Sequence, residues 1–391
     1  MSDSYTEVTT ESWGARLMGS IKSVLFGVVL FLAAFVVIWW NEGRAVKTAK
    51  GLDEGAAQVE TIPSKPLNVN KDGKLVHLTG VVTTEERLLD QEFAIDVNAL
   101  KLRRIVEMYQ WKENKETTEK KKVGGSVEKT TTYTYEKTWS RSLINSDGFK
   151  IPEDHVNPAA MLYNSYDKSV GIANIGEYQL PESFIGRISN YKKYPVADLD
   201  MENAEVIDAG SSVYLGEGSV ASPSIGDLKI RFEIVEPGEY SMVAQMNGTS
   251  FQDFKTSTGT TVGMISAGSH TAASMFEEAQ QQNTILTWIL RVAGFLMMTF
   301  GLASIFRPLV VFADVLPFLG SMLGMGISLF SGIISFALSI VTIGLAWVFY
   351  RPVLGIALLL VAIAAFTFFY LRASKKKQEK DKIKDQRTVA A

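Results

Sequence analysis

The stretch VVIWWNEGRAVKTAKGLDEG, residues 36–55, changes character within three positions: an apolar run closes on Trp39 and Trp40 and gives way at once to Asn41, Glu42, Gly43 and Arg44. Two readings compete, a cleaved signal peptide and a permanent membrane helix emerging into water. A cleavable signal has an apolar core of about 7 to 15 residues and then small residues in an A-x-A-like pattern. Here the run from Ser23 to Trp40 is long enough to cross roughly 30 Å of hydrocarbon as a helix, and bulky indoles stand where a peptidase needs alanine. Residues 23–40 therefore read as an uncleaved anchor. Trp39, Trp40 and Arg44 sit at its membrane interface, where amphipathic rings favour the headgroup level.

The far end of the chain answers in kind. From Thr284 to Leu371 almost every residue is apolar, and the stretch divides into spans at 284–306, 318–349 and 353–371. An apolar connector, 307–317, is expected in the interface. The link Tyr350-Arg351-Pro352 allows only a tight hairpin, with Pro352 suited to the first turn of the next helix because its missing N–H would be unpaired there anyway; Tyr350 and Arg351 join the interfacial set. The tail LRASKKKQEKDKIKDQR carries eight Lys or Arg against three acids. Positive charge near a span marks the cytoplasmic side, so the tail 372–391 is assigned there. With four spans, the N-terminal segment 1–22 falls on the same side and residues 41–283 on the other.

Composition agrees with a chain that is half membrane and half water-soluble. Hydrophobic residues make up 47% and charged residues 21%, but the two classes are segregated along the sequence. A net charge of −3 gives no reason to expect nucleic acid. The absence of cysteine excludes disulfides, thiolate zinc sites and thiol catalysis. A domain of this size can still be held by its own core.

That domain reads as β-rich. LVHLTGVV (75–82), IVEMYQW (105–111) and KTTTYTYEKTW (129–139) have strand character, and the last two alternate. KENKETTEKKKVGGSVE, between them, is expected as the long mobile loop of a hairpin. Further strands are expected at 226–234 and 240–245, with a turn at Pro237-Gly238. Residues 269–282 turn helical and run without a breaker into the second span. Whether the domain is one fold or two halves split near residue 155 is left open. The fold class is a multipass α-helical membrane protein with four transmembrane helices and a large β-rich α+β extracytoplasmic domain inserted between helices 1 and 2.

Catalytic signals are thin. His77, His155 and His270 are far apart and none stands in a metal-binding spacing; no nucleophile elbow or phosphate loop is present. No cofactor or metal is expected. Arg103, Arg104 and Glu107 are candidates for a partner or lipid-headgroup contact, against the blander reading of a surface ion pair. Arg291 is the only charge inside a span and is expected to snorkel outward. Along the third helix Gly320, Gly324, Ser328 and Gly332 are spaced by four, beside a second stripe of Ser331, Ser335 and Ser339. Small residues at this spacing let helix backbones approach closely, which makes this the expected packing helix, within the chain or between copies.

NEGRAVKTA after the first span, VNALKLRRIVEMYQWKE, TWSRSLINSDGF followed by HVNPAAM, GDLKIRF, and AWVFYRP before the last span together resemble the LUMA family, also called the transmembrane protein 43 family. The likeness runs in one order along nearly the whole chain, and the lack of cysteine fits a bacterial member. It implies a self-associating multipass protein whose large domain is lumenal or periplasmic. Its membrane would be the inner membrane of a bacterium, or the endoplasmic reticulum and inner nuclear membrane of a eukaryote. The expected function is a noncatalytic scaffold whose partners are the lipid bilayer, other copies and other membrane proteins. Lipid or solute handling at the interface of domain and bilayer is the alternative.

Overall fold

The computed structural model describes residues 4–196 and 204–353, together with 355–357, 360 and 367. Contacts divide the chain into two units, Met1–Trp13 with Lys50–Gln281, and Gly14–Ala49 with Gln282–Ala391.

The principal strands of the first unit are β1 (Ser4–Glu11), β2 (Leu75–Thr83), β3 (Lys101–Lys121), β4 (Val127–Ser140), β5 (Tyr166–Ser169), β6 (Ser212–Leu215), β7 (Leu228–Val235) and β8 (Gly238–Asn247). An eight-stranded sheet follows the order β1-β4-β3-β7-β6, with β5 also paired to β3. A seven-stranded sheet is built around the β2–β8 pair. Alternation decides which face of the first sheet is buried: in β7, Leu228, Ile230, Phe232 and Ile234 are buried while Lys229, Arg231 and Glu233 are partly exposed. Val76, Leu78 and Val82 of β2 join Met242 and Met246 of β8, Val106 of β3 and Phe232 of β7 in one buried cluster. One core shared by both sheets makes this one fold and not two halves split near residue 155.

The central strands β2 and β8 are covered on their second face as well. Leu75 and Val243 pack with Leu52 of helix α1 (Trp13–Gln58) and with Met275 and Phe276 of helix α2 (Ala272–Ala313). Gly55 lets the Phe276 ring lie where a Cβ would be 2.9 Å from it.

The strand lengths correct the expected hairpin loop. The charged stretch 112–128 is not a long loop: β3 runs to Lys121 and β4 starts at Val127, leaving only a short turn with Gly124 and Gly125 at positive φ. Cross-strand pairs hold it, since Lys112 reaches Glu136, Lys129 reaches Glu119, and Thr117 bonds Thr131, each a modest contribution. Within residues 1–22, Ser4–Glu11 pairs antiparallel with β4 over eight residues, Ser4 opposite Thr134 and Glu11 opposite Val127, and α1 begins at Trp13.

In the second unit, α1, α2 and α3 (Pro317–Tyr350) are each long and apolar enough to cross a membrane. The connector expected at 307–317 is mostly helix: α2 continues to Ala313 with Pro308 inside it. Proline removes the N–H that would bond the carbonyl four residues back; Ser23 Oγ, which donates to the Ser20 carbonyl at 2.6 Å, lies 3.5 Å from that Ser304 oxygen. The fourth span, 353–371, falls mostly outside the described residues, and the basic tail 372–391 wholly so.

Candidate functional site

The second unit carries a buried polar cluster built from NEGR of α1 and a stripe of α2. Asn283, Thr287 and Arg291 recur every fourth residue and so share one face of α2. Asn41 Nδ2 donates to the Thr287 carbonyl at 3.0 Å, and Asn283 Nδ2 donates to the Ala45 carbonyl at 3.0 Å. Arg44 donates to Asn283 Oδ1 at 2.9 Å, Asn41 Oδ1 at 3.1 Å and Thr287 Oγ1 at 2.9 Å. One turn further along α2, Arg291 grips Glu42 with Nε at 2.6 Å and Nη2 at 2.9 Å, while Trp347 Nε1 of α3 donates to the same carboxylate at 2.7 Å. Glu42 thereby ties all three helices together.

This corrects the expectation that Arg291 snorkels. Its side chain is 15% exposed, that of Glu42 2%, and the guanidinium lies 4.7 Å from the Trp288 ring centre. A bidentate pair with a third donor satisfies the carboxylate, and removing either ion would leave the other buried without compensation. At the opposite end of the same helices, Arg16 Nη2 meets the fully buried Asp314 at 2.5 Å.

The remaining membrane candidates separate. Trp39 meets Phe349 and Tyr350, each with ring centres 6.0 Å apart, and Gly43 leaves room for the Tyr350 ring. Trp40 is exposed and Arg351 is half-buried at the end of α3. Within the chain the four residues of the Gly320–Gly332 stripe have different surroundings. Gly320 is buried under Asp314, Gly324 touches Val310, Ser328 is exposed, and Gly332 has no non-neighbouring atom within 4 Å. The neighbouring stripe of Ser331, Ser335 and Ser339 is the buried one. A close helix approach lies elsewhere: a Cβ on Gly27 would come 2.7 Å from the Gly301 carbonyl oxygen, and one on Gly294 would come 2.4 Å from Ile38. Gly294 and Gly301, seven residues apart on α2, were the readable signal for it.

On the first unit, β3 alternation splits the Arg pair. Arg103 and Glu107 share the partly exposed face: Arg103 bonds Asp167 at 2.6 Å and stacks 3.8 Å from the Tyr191 ring centre, and Glu107 pairs with Arg141 and Arg231. Desolvation pushes the Asp167 carboxyl upward, but hydrogen bonds from Arg103 and Tyr191 outweigh it and hold the group below the usual carboxylate range. Arg104 points the other way and is buried against Asp90. Among the described residues no group of side chains is arranged to hold a metal ion.

A family model described as Transmembrane protein 43 matches residues 108–352. Transmembrane protein 43 of Mus musculus is 30% identical over 375 residues, covering 93% of each chain, and that of Homo sapiens matches to the same extent. The Transmembrane protein 43 homolog of Drosophila melanogaster is 29% identical over 366 residues, which is 88% of this chain and 93% of its own. No solved structure matches the chain. With three apolar helices of membrane-crossing length and this likeness along nearly its full length, the chain belongs to the transmembrane protein 43 family of integral membrane proteins.

Proposed function

We propose that the protein is a noncatalytic membrane scaffold that self-associates and organises membrane protein complexes. The observation that carries this reading is the internal pairing of two ions of the bundle, Arg291 spent on Glu42 and Arg16 on Asp314, while Arg44 is held by the neutral Asn41, Asn283 and Thr287. A transporter keeps ionisable groups facing a cavity or pathway, whereas these fasten helices to one another. In this reading four spans cross the membrane, the basic tail is cytoplasmic, and residues 41–283 lie on the opposite side, in the periplasm or a lumen. The exposed side of α3 around Ser328 and Gly332 is the surface offered to a second copy.

Native mass spectrometry of the full chain in nanodiscs tests it. A discrete oligomer that survives delipidation, and that Gly332→Leu converts to monomer without lowering the melting temperature, is the expected result. A monomer at every concentration overturns the proposal. The alternative, lipid handling, draws on one feature: an apolar cavity of about 530 Å³ lined by Phe35, Trp39, Leu338, Val341 and Leu345 among others, suited to an acyl chain. A monomer carrying one lipid of defined mass would favour it.

A further inference from the structure

The first unit holds a polar pocket that the scaffold reading does not use. It is a cavity of about 450 Å³ whose wall includes Asp90, Glu92, Arg104, Tyr166 and Lys168. Arg104 lies at its base with a side chain only 6% exposed, braced 4.7 Å from the Tyr166 ring centre and 5.3 Å from that of Phe93. Its Nε donates to the Asn164 carbonyl at 2.9 Å and its Nη1 to Asp90 Oδ2 at 3.0 Å. Nη1 also contacts Glu92. Nη2 has no protein partner among the described residues, yet it is not sealed from solvent. A guanidinium that is buried, braced and open at Nη2, with Nη1 shared with the displaceable Glu92, is prepared for a planar or tetrahedral oxyanion.

The two carboxylates differ in kind. Asp90 is committed: it accepts from Arg104, from the Glu92 and Phe93 backbone N–H groups, and from Tyr166 Oη at 2.6 Å. The Tyr166 hydroxyl is pushed well above its ordinary pKa by burial and by that carboxylate, so it stays protonated as a donor. Glu92 is the one that can turn out, because its side chain is 52% exposed and water is at hand to solvate the released carboxylate. With Glu92 turned out, Asp90 balances only one of the two cations, and Lys168, whose Nζ rests on the Leu89 carbonyl at 2.8 Å, supplies the other. The geometry points to a binding site for the carboxylate or phosphate group of a small ligand. The ligand takes the open edge of Arg104, Lys168 adds its charge, and Glu92 occupies the site in competition.

Calorimetric titration of the full-length protein in neutral detergent, with inorganic phosphate and acetate as probes, tests this. Saturable binding is expected, tightened at least fivefold by Glu92→Gln and weakened at least fivefold by Lys168→Met. Both side chains are exposed, and unchanged melting temperatures without probe would show that the fold is retained. Absence of saturable binding in wild type and Glu92→Gln, or affinities that neither substitution moves, would overturn the assignment. Repeating the titration in nanodiscs separates the sources. Equal phosphate affinity in phosphatidylcholine and phosphatidylglycerol discs identifies a soluble anion, and loss of phosphate binding only in phosphatidylglycerol discs identifies a lipid headgroup.

Discussion

Glu42 is the residue on which three helices converge, and its removal has a calculable shape. Glu42→Gln leaves the Arg291 guanidinium buried beside a neutral amide, so a loss of about 3–5 kcal/mol is expected, read as a lower melting temperature in detergent. Replacing the pair together, Glu42→Leu with Arg291→Met, should recover most of that loss, because apolar side chains of similar volume avoid the desolvation of both ions. His77 gives a second, pH-dependent signature. Burial lowers its pKa below the ordinary histidine value; Nε2 donates to the His270 carbonyl at 2.9 Å, and Nδ1, 3.2 Å from the Thr61 hydroxyl, is the acceptor. The folded state thus favours the neutral ring. As pH falls below about 6.5 the unfolded chain takes up a proton that the folded chain refuses, so stability drops until the folded pKa is reached. Melting curves between about pH 7 and pH 5 should show a decline that is shallower in His77→Gln. Of these residues, NEGR was legible as a membrane boundary, but its partner was not. The stripe Asn283-Thr287-Arg291 has helical period, and only the proximity of α1 to α2 reveals what faces it.

Among the elements, the long apolar helices, five of the principal strands, the existence of the β3–β4 hairpin and the serine stripe on α3 could be read from period and composition, while the length of that hairpin and the strands β1, β5 and β6 could not. Polar residues in 112–128 look like a loop because no apolar alternation marks them. They extend as strands because Lys, Glu and Thr on β3 meet Glu, Lys and Thr on β4, a match visible only after the register is known. Hydrogen exchange should therefore be slow at residues 112–120 and fast at the 122–126 turn; equal, rapid exchange across both would return the segment to a loop. Small residues on α3 pose a related problem, since spacing by four marks a stripe without saying what covers it. Gly301 and Gly332 separate the two cases. Gly301→Val must push against the Phe31 backbone, 2.7 Å from its Cβ, and overpacking of that kind costs about 1–3 kcal/mol. Gly332→Val meets nothing within 4 Å. The melting temperature should fall for the first and hold for the second.

At the scale of the whole molecule, the pairing of β1 with β4 makes a strong demand on topology. Eight consecutive residue pairs cannot form through a bilayer, because a polar ladder would have to sit in hydrocarbon. Between β1 and Lys50, where the chain re-enters the same unit, there is one apolar run, Ser23–Trp40. If that run crosses the membrane once, as proposed above, Ser4–Glu11 and β4 are on opposite sides and the ladder belongs only to chains released from the bilayer. The absence of native cysteine provides a clean reporter. Thr6 and Thr132 are register partners, and directly opposed antiparallel residues have Cα atoms about 4.5–5.5 Å apart, within the range a disulfide spans. The Thr6→Cys/Thr132→Cys variant should stay reduced under mild oxidant in intact membranes and form an intrachain disulfide after solubilisation. Efficient crosslinking in intact membranes would put the N-terminus on the side of the β-rich domain and remove the single crossing by residues 23–40, and with it the assignment of both termini to the cytoplasm.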